Sequence, residues 1–236
     1  MADRHGVSWR RLLSEAVVIV ASVYLAIVLE GMSEDRDRAS EAVDALVQLV
    51  EELKKDRADV AEVIAEQESL SRQYVNLRRW FKAPSSMPAD SVQQTLDMVA
   101  WSNRTMFPRG AAWTTMVAAG QLRYLDDVAL VKRLGDLYEN VNPRLEYNGA
   151  AYDENLNATM RESVPTVWDF EGRRLLNGDP DAVARVQGQL RYLHVTFNGW
   201  YLWYLAQYAE QLDGLISEVE AYLDGVKGRQ GSRPGG

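Results

Sequence analysis

Ala16-Val17-Val18-Ile19-Val20-Ala21-Ser22-Val23-Tyr24-Leu25-Ala26-Ile27-Val28-Leu29 is an uncharged run near the start of a 236-residue chain that is elsewhere rich in charge. Whether it crosses a bilayer or sits in a core decides whether the fold has one part or two. A run this short also suits a buried core helix or the core of a cleaved signal peptide. Leu12 and Leu13 lengthen it, with only Ser14 and Glu15 between. At about 1.5 Å per residue, residues 12 to 29 cover roughly 27 Å, close to the ~30 Å hydrocarbon layer. Arg10 and Arg11 suit the headgroups, Trp9 suits the interface, and Arg11 stands at i,i+4 from Glu15. Leu29-Glu30-Gly31-Met32-Ser33 is a poor cleavage site. The expected reading is therefore an uncleaved transmembrane helix over residues 12–30.

Charge gives the expected orientation. Residues 1–11 hold Arg4, Arg10 and Arg11 against Asp3, while the far flank holds Glu30, Glu34, Asp35 and Asp37 against Arg36 and Arg38. The positive-inside rule then leaves a cytoplasmic tail at 1–11 and places residues 31–226 in the periplasm, anchored in a bacterial inner membrane. The formal net charge of −8 speaks against a nucleic-acid partner, which needs a basic stripe. The chain has no Cys, so neither a disulfide framework nor a thiolate metal site is available.

The remainder reads as helix. Residues 33–81 contain no Gly or Pro. Leu46, Val50, Leu53, Val60, Ile64, Leu70, Tyr74, Leu77 and Phe81 recur mostly at three- and four-residue steps, the mark of a long amphipathic helix. Arg57 and Gln67 break the stripe, which argues for a bundle helix over a strict coiled coil. Glu51–Lys55 and Glu68–Arg72 are expected i,i+4 pairs. Further helices are expected over 91–101 behind an Asp90 cap, over 111–119 with Gly120 as a left-handed terminator, and from a cap at Asp126 or Asp127. That helix should kink at Pro143 and resume to about residue 162. Asp179-Pro180 starts the last helix, which Gly225 should end near residue 224, ahead of a flexible tail at 227–236. No strand-period segment is evident. The expected fold class is all-α: one N-terminal transmembrane helix followed by a long-helix bundle domain.

The anchor, with Glu15 ahead of the apolar run and a long acidic helix after it, resembles an uncharacterised family of bacterial single-pass membrane proteins. The stretch Ala112-Trp113-Thr114-Thr115-Met116-Val117-Ala118-Ala119-Gly120-Gln121-Leu122, followed by Leu125-Asp126-Asp127, Leu130, Leu134 and Tyr138, carries the second part of the likeness. Leu29-Glu30-Gly31-Met32 departs from that family's Asn/Trp-rich exit from the membrane. The resemblance implies a membrane-anchored helical domain and no activity.

Sites are sparse. A di-metal bundle needs Glu-x-x-His on two helices, but Arg191 stands three residues before His194, and the only other histidine is His5. No metal and no cofactor is expected, and no enzyme. His194, on a stripe with Leu190, Phe197, Tyr201 and Tyr208, reads as a packed or interface histidine and not as a general base. Glu51-Glu52 and Asp126-Asp127 read as solvated faces and caps. The concentration of Phe197, Trp200, Tyr201, Trp203, Tyr204 and Tyr208 reads as a core face or as a partner interface, with Trp203 to the side. Ala16, Ala21, Ser22 and Ala26 suit close lateral docking of the span. The expected function is an accessory or scaffolding subunit of a larger membrane complex, photosynthetic or respiratory, with the membrane and other membrane-protein subunits as partners. The alternative is a periplasmic sensor or ligand-binding module acting through a membrane partner.

Overall fold

In the computed structural model the described residues are 9–101, 103–176 and 179–231, with side chains described at 20, 22–25, 28–30, 32, 34–100 and, beyond 102, up to 229. Helix α1 runs without a break from Trp9 to Lys82. Its 74 residues make a rod of about 110 Å. The apolar segment and the amphipathic stripe therefore lie on one helix, with no turn at residue 30.

The stripe is more regular than the sequence reading allows. Ala42, Leu46, Leu49, Leu53, Asp56, Val60, Val63, Gln67, Leu70, Tyr74, Leu77 and Phe81 are all buried, at strictly alternating steps of four and three. That is a heptad seam. Gln67 does not interrupt it; together with Asp56 it occupies a seam position. Arg57 stands beside the seam and pairs with Asp213 at 2.8 Å. Glu51 pairs with Lys54 (3.1 Å), not with Lys55, and no ion pair joins Glu68 to Arg72.

Helices α2 (Ala89–Trp101), α3 (Ala111–Ala118), α4 (Val128–Asp136), α5 (Asn142–Ala158), α6 (Pro180–Tyr192) and α7 (Gly199–Gly231) surround this spine. Helix α7 and the turn that leads into it lie antiparallel to α1: Lys54 pairs with Glu220 (3.0 Å), Arg57 with Asp213 and, in the turn at 193–198, His194 with Ser71. Buried Asn198 just before it and Tyr201, Leu205, Tyr208, Leu212, Leu215 and Val219 within it keep the same alternation. Two polar layers cross the seam. Asn198 Nδ2 donates to the Gln67 side-chain oxygen (2.9 Å), and Tyr208 donates to Asp56 (3.4 Å).

Caps and breaks follow local chemistry. Asp127 accepts from Leu130 N, Asp179 accepts from Asp181 N with Pro180 in the first turn, and Gly120 has φ +64°. Asp90 is not a cap: α2 begins at Ala89, and Asp90 pairs with Arg173 instead. Wide π turns occupy 137–141 and 159–163, each containing the residue four before a proline, Pro143 or Pro165. Widening the turn accommodates the missing N–H and the ring. A third π turn, 193–198, has no proline. Helix α7 passes through Gly225, where an added Cβ would meet nothing, to Gly231. The irregular stretch after α5 holds a two-residue hairpin, β1 (Trp168–Asp169) with β2 (Arg174–Leu175), too short to leave a strand period.

The buried polar residues hold the loop between α2 and α3. Gln67 Nε2 donates to Asn103 Oδ1 (3.1 Å) and to the Arg104 carbonyl (2.8 Å). Asp56 accepts from the Arg109 amide (2.9 Å) and guanidinium (2.6 Å), and Tyr201 Oη accepts from Met106 N (2.6 Å). Glu52, half-buried and not on a solvated face as the sequence suggested, accepts from Ala112 N at 3.1 Å. A buried group stripped of its partner costs about 1–3 kcal/mol, more than an apolar replacement regains. Gln67→Leu removes one of the two polar positions of the heptad yet should lower stability by about 2–3 kcal/mol. Urea unfolding of the full chain in neutral detergent checks this, and an unchanged or raised midpoint would contradict it.

Candidate functional site

The aromatic face divides three ways. Tyr201 and Tyr208 are core. Phe197 and Tyr204 are half-buried at its edge. Trp200 and Trp203 stand in solvent at 60% and 53% exposure, packed edge-to-face on each other at 6.0 Å. The sequence reading set Trp200 on the same face as Tyr201 and Tyr208. The seam of α7 instead runs through Tyr201, Leu205 and Tyr208, which leaves Trp200 and Trp203 together on its outer flank.

Trp203 and Tyr204 form one wall of an open groove of about 310 Å³, with Val141, Arg144 and Leu145 opposite. A neighbouring hollow of about 210 Å³ lies beside Phe197, Trp200 and Tyr204, bounded by Asn148 and Thr196. Trp203 also packs on Tyr204 (5.1 Å), so the ridge between the two hollows is aromatic. Such a surface suits docking: large rigid rings lose little entropy on contact and carry a polar edge.

His194 lies in the third π turn, half-buried, stacked on Tyr74 at 5.9 Å. Its Nε2 is 2.9 Å from Ser71 Oγ, and its Nδ1 is 3.5 Å from Arg78 Nη1. Arginine can only donate, so Nδ1 is the acceptor and Nε2–H donates to the serine. A serine beside a histidine invites comparison with a hydrolase pair. Here an arginine stands where the orienting carboxylate would, and it opposes the imidazolium that general-base catalysis requires. The Ser71–His194–Arg78 chain is built to keep the ring neutral.

The carboxylates have structural partners. Burial pushes Asp56 above its usual range, and the Arg109 amide and guanidinium offset this only in part. Asp153 is raised by burial against hydrogen bonds from Thr105 (3.0 Å) and Asn103. Burial likewise pushes Tyr152, which shares a 3.1 Å hydrogen bond with Tyr74, up to about 12. Among the described residues no three His, Cys, Asp or Glu side chains are grouped to hold a metal.

The anchor residues Trp9, Arg10, Arg11, Glu15, Ala16, Ala21 and Ala26 lie outside the residues whose side chains are described, and Ser22 is exposed. Among the described residues no helix is long and apolar enough to cross a membrane, so the transmembrane anchor finds no support among them. Residues 12–19, most of the first half of the expected span, contribute no described side chain.

Burial, then the Arg78 charge, lowers the His194 pKa. A lowered pKa means that the unfolded chain binds the proton better. Stability linked to His194 is therefore complete above about pH 6.5 and falls as pH drops below that value. Imidazole NMR of the full chain should show His194 titrating below 6.5, and His194→Gln should remove that part of the acid slope in unfolding midpoints. Titration at or above 6.5 would contradict the arrangement.

Comparison with known proteins gives one result. No curated protein matches the chain, and no solved structure does. A family of unknown function, DUF6090, matches residues 15–166, from Glu15 in α1 to the turn after α5, leaving α6 and α7 outside the match. The match covers more than half of the sequence, and the chain belongs to this family of unknown function.

Proposed function

We propose that the chain is a single-pass accessory or scaffolding subunit that binds and braces a larger membrane-protein assembly by contact. The observation that carries the reading is the division of α1. From Ala42 onward the helix is the spine of the bundle. Before it, Val20, Val23, Tyr24, Leu25, Val28, Leu29 and Met32 are between 39% and 70% exposed, and no described element covers them. Apolar surface left in water costs about 25 cal/mol per Å², and lipid or neighbouring helices remove that cost. The flanking charges favour a cytoplasmic N-terminus and a periplasmic bundle. The Trp200–Trp203 ridge is then the second contact, away from the membrane. A photosynthetic or respiratory complex is a fitting host.

The groove beside Trp203 favours a second reading, a periplasmic sensor or ligand-binding module that acts through a membrane partner. At about 310 Å³ it stands at the small end of ligand pockets and is open on one side. In this topology a ligand signal would pass through contacts of the proposed span with a membrane partner. Nothing in the geometry of Ser71 and His194 calls for an enzyme.

Two measurements test the contact reading. Full-length protein should stay with membranes through alkaline carbonate washing, and Ile19→Arg should release it or block insertion. Wild-type protein in the wash would end the anchored reading. Trp200→Ala and Trp203→Ala should each leave the melting temperature nearly unchanged and weaken co-purification of the partner roughly tenfold or more, since one anchoring Trp contributes about 2 kcal/mol. Undiminished association in the double variant would move the interface elsewhere.

A further inference from the structure

We propose that the pocket between the last turn of α1 and helix α6 is an anion site for a phosphate group carried by a soluble molecule. The pocket has about 220 Å³ and is lined by Arg78 and Lys82 from α1 and by Ala184, Gln187, Gly188 and Arg191 from α6. Three cations converge on it and no carboxylate does. Elsewhere in the bundle, cations that bridge elements are matched: Arg57 with Asp213, Arg104 with Glu62, Arg109 with Asp56. Among the described residues Arg78, Lys82 and Arg191 have no carboxylate partner. In a chain of net charge −8 this concentration runs against the general balance.

The C-terminal dipole of α1 accounts for Lys82. It does not account for Arg191, which comes from a helix that continues through the π turn into α7 and has no free end there. Arg78 is held from behind by His194 Nδ1, itself fixed by Ser71. An arginine has five N–H donors, so that contact leaves most of the fork for a ligand oxygen. Gln187 donates to the Phe81 carbonyl (2.9 Å), which ties α6 to the end of α1 and sets the width of the pocket. Gly188 leaves the wall open, and a Cβ there would meet nothing within 4 Å. A phosphate dianion satisfies this donor set and relieves the mutual repulsion of the three cations. Residue 82 lies about 80 Å along α1 from residue 29, beyond the headgroups around the proposed span, which favours a soluble source over a lipid.

The test is calorimetric titration of the full-length chain in neutral detergent with inorganic phosphate at low salt. Saturable binding is expected, weakened at least tenfold by Arg191→Gln. Gly188→Leu keeps all three cations but fills the opening; it should weaken binding at least tenfold while the melting temperature without phosphate is unchanged or raised. A parallel titration with phosphatidic acid in nanodiscs separates the sources: tighter Arg191-dependent binding there, with none to inorganic phosphate, overturns the soluble assignment. No saturable binding of either probe, or phosphate binding indifferent to both substitutions, overturns the site.

Discussion

Two polar residues in an otherwise apolar heptad, Asp56 and Gln67, set the register on which the bundle depends. An all-apolar seam between two long antiparallel helices tolerates sliding by a heptad, because every layer resembles the next. Gln67 faces Asn198 and Asp56 faces Tyr208, and a slip would strand all four in a low-dielectric interior. The same two side chains reach outward to Asn103, Arg104 and Arg109. Spine, antiparallel partner and connecting loop are therefore fixed by one set of hydrogen bonds. Burial holds the Asp56 carboxyl above its usual range, so the charge carries a desolvation cost that the Arg109 contacts offset only in part.

Much of this was legible from residue patterns whose causes are local. The stripe of α1, the caps at Asp127 and Asp179 and the left-handed Gly120 each depend on neighbours within a few positions. Gln67 was read as a break because its partners lie more than thirty residues away, where periodicity cannot see them. Glu52 was read as solvated for the same reason: the amide it accepts from is on α3. Pro143 marked a disturbed turn, whereas the π turn before Asn198 has no proline and left no sign. Gly225 does not end the helix: the backbone stays helical through it to Gly231.

The candidate surfaces were legible in composition and illegible in direction. The aromatic concentration on α7 was visible, but whether each ring faces core or solvent depends on the seam, and the seam passes through Tyr201 and Leu205. The cation pocket left no sequence signal, since Arg78 and Arg191 meet only when α6 folds back on α1. These surfaces sit at different heights along one rod. The apolar segment is at its start, the aromatic ridge faces outward beside the far half of the spine, and the cations close its end. The proposed contact role needs that spacing to be fixed, and an unbroken helix fixes it.

The central claim is that α1 remains one rigid helix from the apolar segment into the bundle. The chain has no cysteine, so spin labels can be placed at Leu29→Cys and Lys55→Cys without competing sites. Pulsed electron–electron resonance on the doubly labelled full-length protein in nanodiscs should give a narrow distribution at a backbone separation of about 39 Å, the rise of 26 helical residues. A broad distribution centred well below that value would mean a hinge near Gly31, and the bundle would not be held at a fixed distance from the proposed anchor.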